Sequence, residues 1–211
     1  IRDHCVTGVQ TCALPIWDMG LGAATNAMAA ILCHEQLAEA GPVRPMHVVS
    51  FETDLDPLRL AFMHNREFTY LRHSAIGGLL AVGRWHSPRH AGLKWTLEHG
   101  DFRDKIFTAP APPDLIFFDM FSSKTDADLW TLDAFRKIFA ACAGRAAELF
   151  TYTCSTSVRA ALLAAGFFVA RGLGTVDKTD TTVALTPAAV RTPHGHTLLA
   201  HDWFEIGRAH V

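Results

Sequence analysis

The sequence predicts an α/β fold, a mostly parallel sheet with helices on both faces, and three observations carry that prediction. Short apolar runs bounded by turn residues, such as Met46–Phe51 (MHVVSF) and Asp114–Asp119 (DLIFFD), have the length and content of strands buried on both faces. Helix-forming stretches separate them, which is the alternation a doubly wound sheet requires. The segment Trp17–Ile31 (WDMGLGAATNAMAAI) leaves a strand end, passes Gly20 and Gly22 and opens into a helix, a layout that lets backbone approach a nucleotide closely.

Taken in order, the first helix is expected over Thr25–Ala38 and the second strand over Met46–Phe51, ending in Glu52. Asp56 is expected to cap a helix with Pro57 at its first position, running to about Arg72. His73–Ala91, with Gly77-Gly78 and Pro88, reads as a short helix plus loop, and Leu93–Glu98 (LKWTLE) as a strand before the Gly100-Asp101 turn. Asp114–Asp119 is the strongest strand, Leu129–Ala141 a helix, Ala147–Tyr152 a strand and Ser155–Ala165 a helix. Gly166–Ala170 and Thr181–Leu185 close the chain as a hairpin. The sum is a mostly parallel seven-stranded sheet with one antiparallel strand.

The 211 residues, 49% of them hydrophobic, suffice for one domain with a sizeable core. A net charge of −2 gives no global sign of nucleic-acid binding, so any such contact must use a local basic patch. The five cysteines lack C-x-x-C spacing, which argues against a zinc site or a disulfide framework and fits a reducing compartment. No apolar run reaches the roughly 18 residues of a membrane span, and no signal peptide is evident, so a cytoplasmic location is expected. Both ends read as foreign. Val6–Ile16 and Ile206–Val211 are encodable by opposite strands of one DNA segment, as translated sequencing adapter would be. The domain is therefore expected over 17–204, with residues 1–16 and 205–211 set aside and Cys12–Ile16 standing in for the start of the first strand.

In an open α/β sheet, ligands bind outside the carboxyl ends of the strands. Those ends carry Asp18, Gly20 and Gly22; Glu52, Thr53 and Asp54; Gly100 and Asp101; Asp119, Met120, Phe121, Ser122 and Ser123; and Thr151, Tyr152 and Thr153. A carboxylate after strand two suits the two hydroxyls of a ribose, so Glu52 is a ribose ligand or else a solvated loop acid. Asp101 suits an adenine amino group or else caps the next turn. This adenosine pattern fits NAD or S-adenosylmethionine (SAM), and Thr25, standing where a dinucleotide fingerprint has its third glycine, favours SAM. Asp119-Met120-Phe121-Ser122 occupies the place of the D/N-P-P-F/Y signature of amine methyltransferases. A carboxylate there holds the protons of an amine nucleophile, and an aromatic face stacks a base.

Phe117–Phe139 (FFDMFSSKTDADLWTLDAFRKIF) and Leu149–Lys178 resemble the methyltransferase domain of the MnmC family, as do GLGAATN (Gly20–Asn26), SFETDLDPL (Ser50–Leu58) and GDF (Gly100–Phe102). The resemblance implies a Rossmann-like SAM-dependent methyltransferase fold. It also implies methylation of the 5-aminomethyl group of the wobble (2-thio)uridine in the anticodon stem-loop of tRNA. It places Asp18, Gly20, Gly22, Asn26, Glu52, Thr53 and Asp101 at the cofactor, and Asp119 and Phe121 at the reacting amine and base. Ser122, Lys124, Trp130, Tyr152 and Lys178 fall on the substrate side. Ser123 and Asp126 depart from the proline and asparagine usual in the family. Bifunctional members add an FAD-dependent oxidase domain; these residues contain none, so the likeness is to the stand-alone form. Methyl transfer to another amine, or a SAM-binding remnant without activity, are the alternatives the residues leave open.

No metal is expected, because the histidines of His86–His90 and His194–His196 lack helical ligand spacing. Cys142 and Cys154 read as small buried residues, and Trp85 and Trp95 as core. Arg66, Arg72, Arg84, Arg89, Arg159, Arg171 and Lys178 would matter to a phosphate backbone only if the fold clusters them.

Overall fold

The structure, a computed structural model, describes residues 13–121, 125–174 and 180–199. The elements run β1 (Leu14–Met19), α1 (Thr25–Ala40), β2 (Met46–Glu52), α2 (Asp56–Met63), α3 (Ser74–Val82), β3 (Arg84–His86), β4 (Leu93–His99), α4 (Phe102–Lys105) and β5 (Leu115–Phe118). They continue α5 (Leu132–Ala141), β6 (Glu148–Thr151), α6 (Thr156–Ala165), β7 (Phe168–Leu173), β8 (Asp180–Leu185), α7 (Pro187–Val190) and β9 (Thr197–Leu198). The seven expected strands are present in the order β4-β2-β1-β5-β6-β8-β7, and β8 runs against both of its neighbours. Two short edge strands, β3 and β9, extend the sheet to nine among the described residues. Both are antiparallel to their neighbours, so three strands rather than one oppose the main direction.

The central strands are apolar on both faces because helices cover both. On one face, Ala27, Met28 and Ile31 of α1 and Ala75, Ile76 and Leu79 of α3 pack on Ile16, Val48 and Trp95. On the other, Phe135 and Ile138 of α5 and Val158 and Leu162 of α6 pack on Trp17, Val49 and Ile116. Trp85 and Trp95 are core, as expected. Leu14–Ile16, set aside on sequence grounds, form the first half of β1, in register with Met46–Val48 of β2. Pro15 brings no donor, yet its carbonyl still accepts from the Asp114 amide at 2.9 Å.

Three local expectations need correction. α2 ends at Met63 rather than near Arg72; the chain then turns into a short 3-10 helix at Thr69–Arg72. The Arg72 guanidinium holds that turn by donating to the carbonyls of Asn65 and Arg66. Asp56 does not cap α2: its own amide donates to the Asp54 carboxylate at 2.9 Å. Of the two cysteines read as buried, Cys142 is so, and burial pushes its thiol up to about 12, whereas Cys154 is exposed.

Candidate active site

The site is built where β1 lies between β2 and β5, at the carboxyl ends of all three. The β1 chain reverses at Gly20, whose φ of +87° is a left-handed conformation that glycine adopts without strain. A Cβ here would also stand 2.7 Å from the carbonyl oxygen of Asp119. Glycine is thus demanded twice, once by the turn and once by the approach of β1 to the end of β5. Gly22, at φ +49°, has no atom within 4 Å of where its Cβ would lie, so the turn leaves open space above it.

Glu52 ends β2 beside this turn. Its Oε1 accepts from the amides of Thr53 (2.8 Å) and Asp54 (3.0 Å), while Oε2 takes the Gly22 amide at 3.2 Å. The carboxylate is therefore fixed at the rim of the open space, with Oε1 saturated by the loop and acceptor capacity remaining on Oε2. Thr53 contributes its amide to this arrangement, and its carbonyl oxygen lies 3.1 Å from Nε2 of His99.

Asp18 sits beneath the turn rather than on its surface, 1% exposed, on the β1 face that packs against α1. Ser50 Oγ donates to its Oδ2 at 2.7 Å, and Trp95 Nε1 donates to Ser50 Oγ at 2.8 Å. Its Oδ1 is buried without a hydrogen-bond partner. Burial, reinforced by the charges of Asp119 and Glu52 and opposed by the Ser50 hydrogen bond, pushes the carboxyl up to about 7.

Asp119 follows β5 and is held from α1, where Asn26 Nδ2 donates to its Oδ2 at 2.8 Å. The segment beyond it is braced twice. Tyr152 Oη donates to the Met120 carbonyl at 3.0 Å, and Trp130 Nε1 to the Phe121 carbonyl at 2.7 Å. The Trp130 ring packs edge-on against Phe118, centroids 4.9 Å apart, and Phe118 also meets Phe102 and Phe135. Backbone fixed on this aromatic cluster leaves Phe121 70% exposed. Asp119, Met120, Phe121 and Tyr152 line an open cleft of about 380 Å³. Burial, with the Asp119 charge adding to it, raises the Tyr152 phenol above its ordinary value.

Asp101 sits at the end of β4 and accepts from the Arg103 amide at 2.8 Å, capping α4. Both its oxygens also receive the Arg103 guanidinium, which holds the carboxyl below the usual carboxylate range. Of the two readings open for Asp101, the capping one is thus realised in this structure, and the acceptor positions an adenine amine would use are taken. Ser122, Lys124 and Lys178 lie outside the described residues. Arg159, weighed as a phosphate ligand, is instead buried, donating to Thr182 Oγ1 and Asp180.

Sequence reasoning missed Tyr70. Its hydroxyl donates to the Ala23 carbonyl at 3.0 Å and lies 3.5 Å from Thr25 Oγ1, so it clamps the glycine turn from the 3-10 helix after α2. The chain has two tyrosines, Tyr70 and Tyr152, and both spend their hydroxyls on backbone carbonyls of the site. That scarcity was the available signal. Among the described residues no group of three or more His, Cys, Asp or Glu is arranged to hold a metal, and no helix is long and apolar enough to cross a membrane.

Comparison with known proteins places this arrangement. The bifunctional protein MnmC of Burkholderia vietnamiensis, named for tRNA 5-methylaminomethyl-2-thiouridine biosynthesis, is 32% identical over 163 residues, 72% of this chain and 24% of that protein. The protein of the same name from Polaromonas naphthalenivorans is 31% identical over 151 residues, 67% of this chain and 23% of its own. The chain therefore spans about a quarter of the length of these curated relatives. The crystal structure of MnmC2 from Aquifex aeolicus superposes with a TM-score of 0.64 at 25% identity, covering 94% of this chain and 59% of that one. Residues 82–187, half of the chain, match a family model described as S-adenosyl-L-methionine-dependent methyltransferase. With that match over a sheet whose glycine turn, rim carboxylate and braced Asp119 segment converge, the chain belongs to the S-adenosyl-L-methionine-dependent methyltransferase family.

Proposed function

We propose that the chain transfers a methyl group from SAM to the aminomethyl nitrogen on carbon 5 of the wobble uridine of tRNA, giving 5-methylaminomethyl-(2-thio)uridine. The supporting observation is the charge of the site. Asp18, Glu52 and Asp119 are close enough to raise the Asp18 carboxyl together with burial, and no described cation pairs with Glu52 or Asp119. The unpaired carboxylates of Glu52 and Asp119 favour a cationic sulfonium. The tRNA substrate is supported by the names of the MnmC relatives.

The residues present fit the cofactor: open space above Gly22, Glu52 Oε2 at its rim, and backbone close enough to exclude side chains. Bound SAM supplies an electrophilic methyl group on sulfur. Glu52 accepts from ribose hydroxyls, and Gly20 and Gly22 keep the turn narrow. Thr53 fixes Glu52, and Asp18 acts from below through its charge. Asp119, oriented by Asn26, would take the proton that the substrate ammonium loses to become a neutral nucleophile, and would hold the freed amine by hydrogen bonding towards the methyl group that bound SAM would supply. Phe121 presents its exposed ring to the uracil, while Trp130 and Tyr152 hold the backbone that carries it. Ser122, Lys124 and Lys178 are proposed on the substrate side. Asp101 can reach an adenine amine only if Arg103 releases it. The domain is proposed over 17–204, with Leu14–Ile16 completing its first strand, in a cytoplasmic protein.

The test is transfer of labelled methyl from SAM to tRNA from cells that stop at the aminomethyl stage, followed by nucleoside analysis. Label in the wobble nucleoside is expected. Asp119→Ala should lower kcat by about 10²–10⁴-fold. A folded, SAM-binding protein that leaves this tRNA unlabelled overturns the proposal.

A further inference from the structure

The β2-β4-β3 end of the sheet carries a row of basic side chains on one face. The register sets His47 opposite Lys94 and Lys94 opposite His86, and one pleat further on Thr96 stands opposite Arg84. Directly opposed residues share a face. The 2.9 Å separation between His47 Nε2 and Thr96 Oγ1 places these two side chains together on it. The reverse face, with Trp85, Leu93 and Trp95, is buried under α1 and α3. Among the described residues the basic face has no comparable cover: α4 is a single turn that packs on β2 and α5, and Arg84 and His86 are exposed.

Arg84, His86 and Lys94 make no ion pair with any described carboxylate. Glu98 lies on the same face of β4 but nearer its carboxyl end, and it too is unpaired. Like charges on facing positions of a sheet are destabilising. The effect reaches His47, which burial first and then the charges of Lys94 and His86 push down to about 4. Exposed Arg84 and half-buried Lys94, without an ion-pair partner among the described residues, are the complement of a polyanion.

We propose that this face docks the phosphate backbone of the RNA substrate, with Arg84 and Lys94 on phosphates and His86 between them. The inference rests on the tRNA reading. β4 is two places and β3 three places from β1 in the sheet, and in register the row is level with Pro15 to Trp17 of β1, before the turn at Gly20, so it lies roughly 15–20 Å from the glycine turn, towards the amino ends of the parallel strands. It would meet RNA flanking the reacting uridine rather than the uridine itself.

The experiment is a salt series of tRNA binding by fluorescence anisotropy on the full chain, comparing wild type with Arg84→Gln/Lys94→Gln. Arg136→Gln, an exposed cation on α5, serves as a charge control. Arg84 is exposed and Lys94 half-buried, and glutamine keeps most of each side chain's length, so the thermal midpoint and SAM affinity should stay near wild-type values and report an intact fold. Loss of two phosphate contacts should flatten the log K against log[salt] slope by about 1.5–2. KM for tRNA should rise about tenfold with kcat unchanged, and Arg136→Gln should move neither. An unchanged slope in the double variant, or a wild type that binds no tRNA, overturns the proposal. A wild type that binds tRNA with the slope lost in the double variant, but transfers no methyl, supports the docking face and overturns the methylation reading alone.

Discussion

Asp18 is the residue whose chemistry is least like that of its free amino acid. Its carboxyl is pushed up to about 7 in the folded chain from an ordinary value of 3.8, mainly because it is buried. The folded state therefore binds more protons than the unfolded state between those values, and stability falls as pH rises through that window. Below about pH 4 the penalty is absent; above about pH 7 it is fully present. Asp18→Asn removes the titrating group and should flatten the decline, read from urea midpoints across pH 4–8. An unaltered pH profile in the variant would show that Asp18 is not the group responsible. Gly20→Ala should act through sterics. Its Cβ would meet backbone at Asp119, which has no rotamer to yield. The expected loss is about 2–4 kcal/mol, overpacking added to left-handed backbone strain, measurable by denaturant unfolding. At this scale the sequence was legible where chemistry is local. A carboxylate after an apolar run identified Glu52 and Asp119, and a G-x-G before a helix identified the turn. It was illegible where partners are distant: nothing in local spacing pairs Asn26 with Asp119, 93 positions apart.

Elements were legible in proportion to their length and burial. The strands β2 and β5 are apolar runs and β4 alternates apolar with polar residues, and all three were found within a residue or two. β3 and β9 have three and two residues and lie at the edges, where only pairing with a neighbour makes a strand. The early end of α2 has the most consequence for the site. A helix continued to Arg72 would keep the segment on its own axis; the turn after Met63 instead brings Tyr70 back onto Ala23 and Thr25. Tyr70→Phe keeps the ring and removes the clamp. A neutral hydrogen bond contributes about 1 kcal/mol to stability, so the urea midpoint should fall by that equivalent, and a looser glycine turn should raise the Kd for SAM by up to about fivefold in calorimetry. Equal affinity in the variant would mean that ring packing alone holds the turn.

For the molecule as a whole, the order of strands divides the work. β1 lies between β2 and β5, so the glycine turn has Glu52 on one side and Asp119 on the other, joined through backbone at Gly22 and Gly20. Cofactor grip and substrate orientation are thus carried by different neighbours of one strand, and kinetics should separate them. Glu52→Ala removes the rim acceptor and also leaves the Thr53 and Asp54 amides without a partner. Its main effect should be on the Kd for SAM, weakened about 10–100-fold, since hydrogen bonds to a charged group are worth about 1.5–3 kcal/mol. Asp119→Ala should leave that Kd within a few-fold, because the Asp119 side chain meets the cofactor side through Asn26 while its backbone contacts at Gly20 and Met19 are kept, and should lower kcat at saturating SAM. The pair is measured by calorimetry for binding and single-turnover methyl transfer for chemistry. If Asp119→Ala abolished SAM binding as fully as Glu52→Ala, the two sides of β1 would act as one unit. The division of labour drawn from the sheet order would then fail.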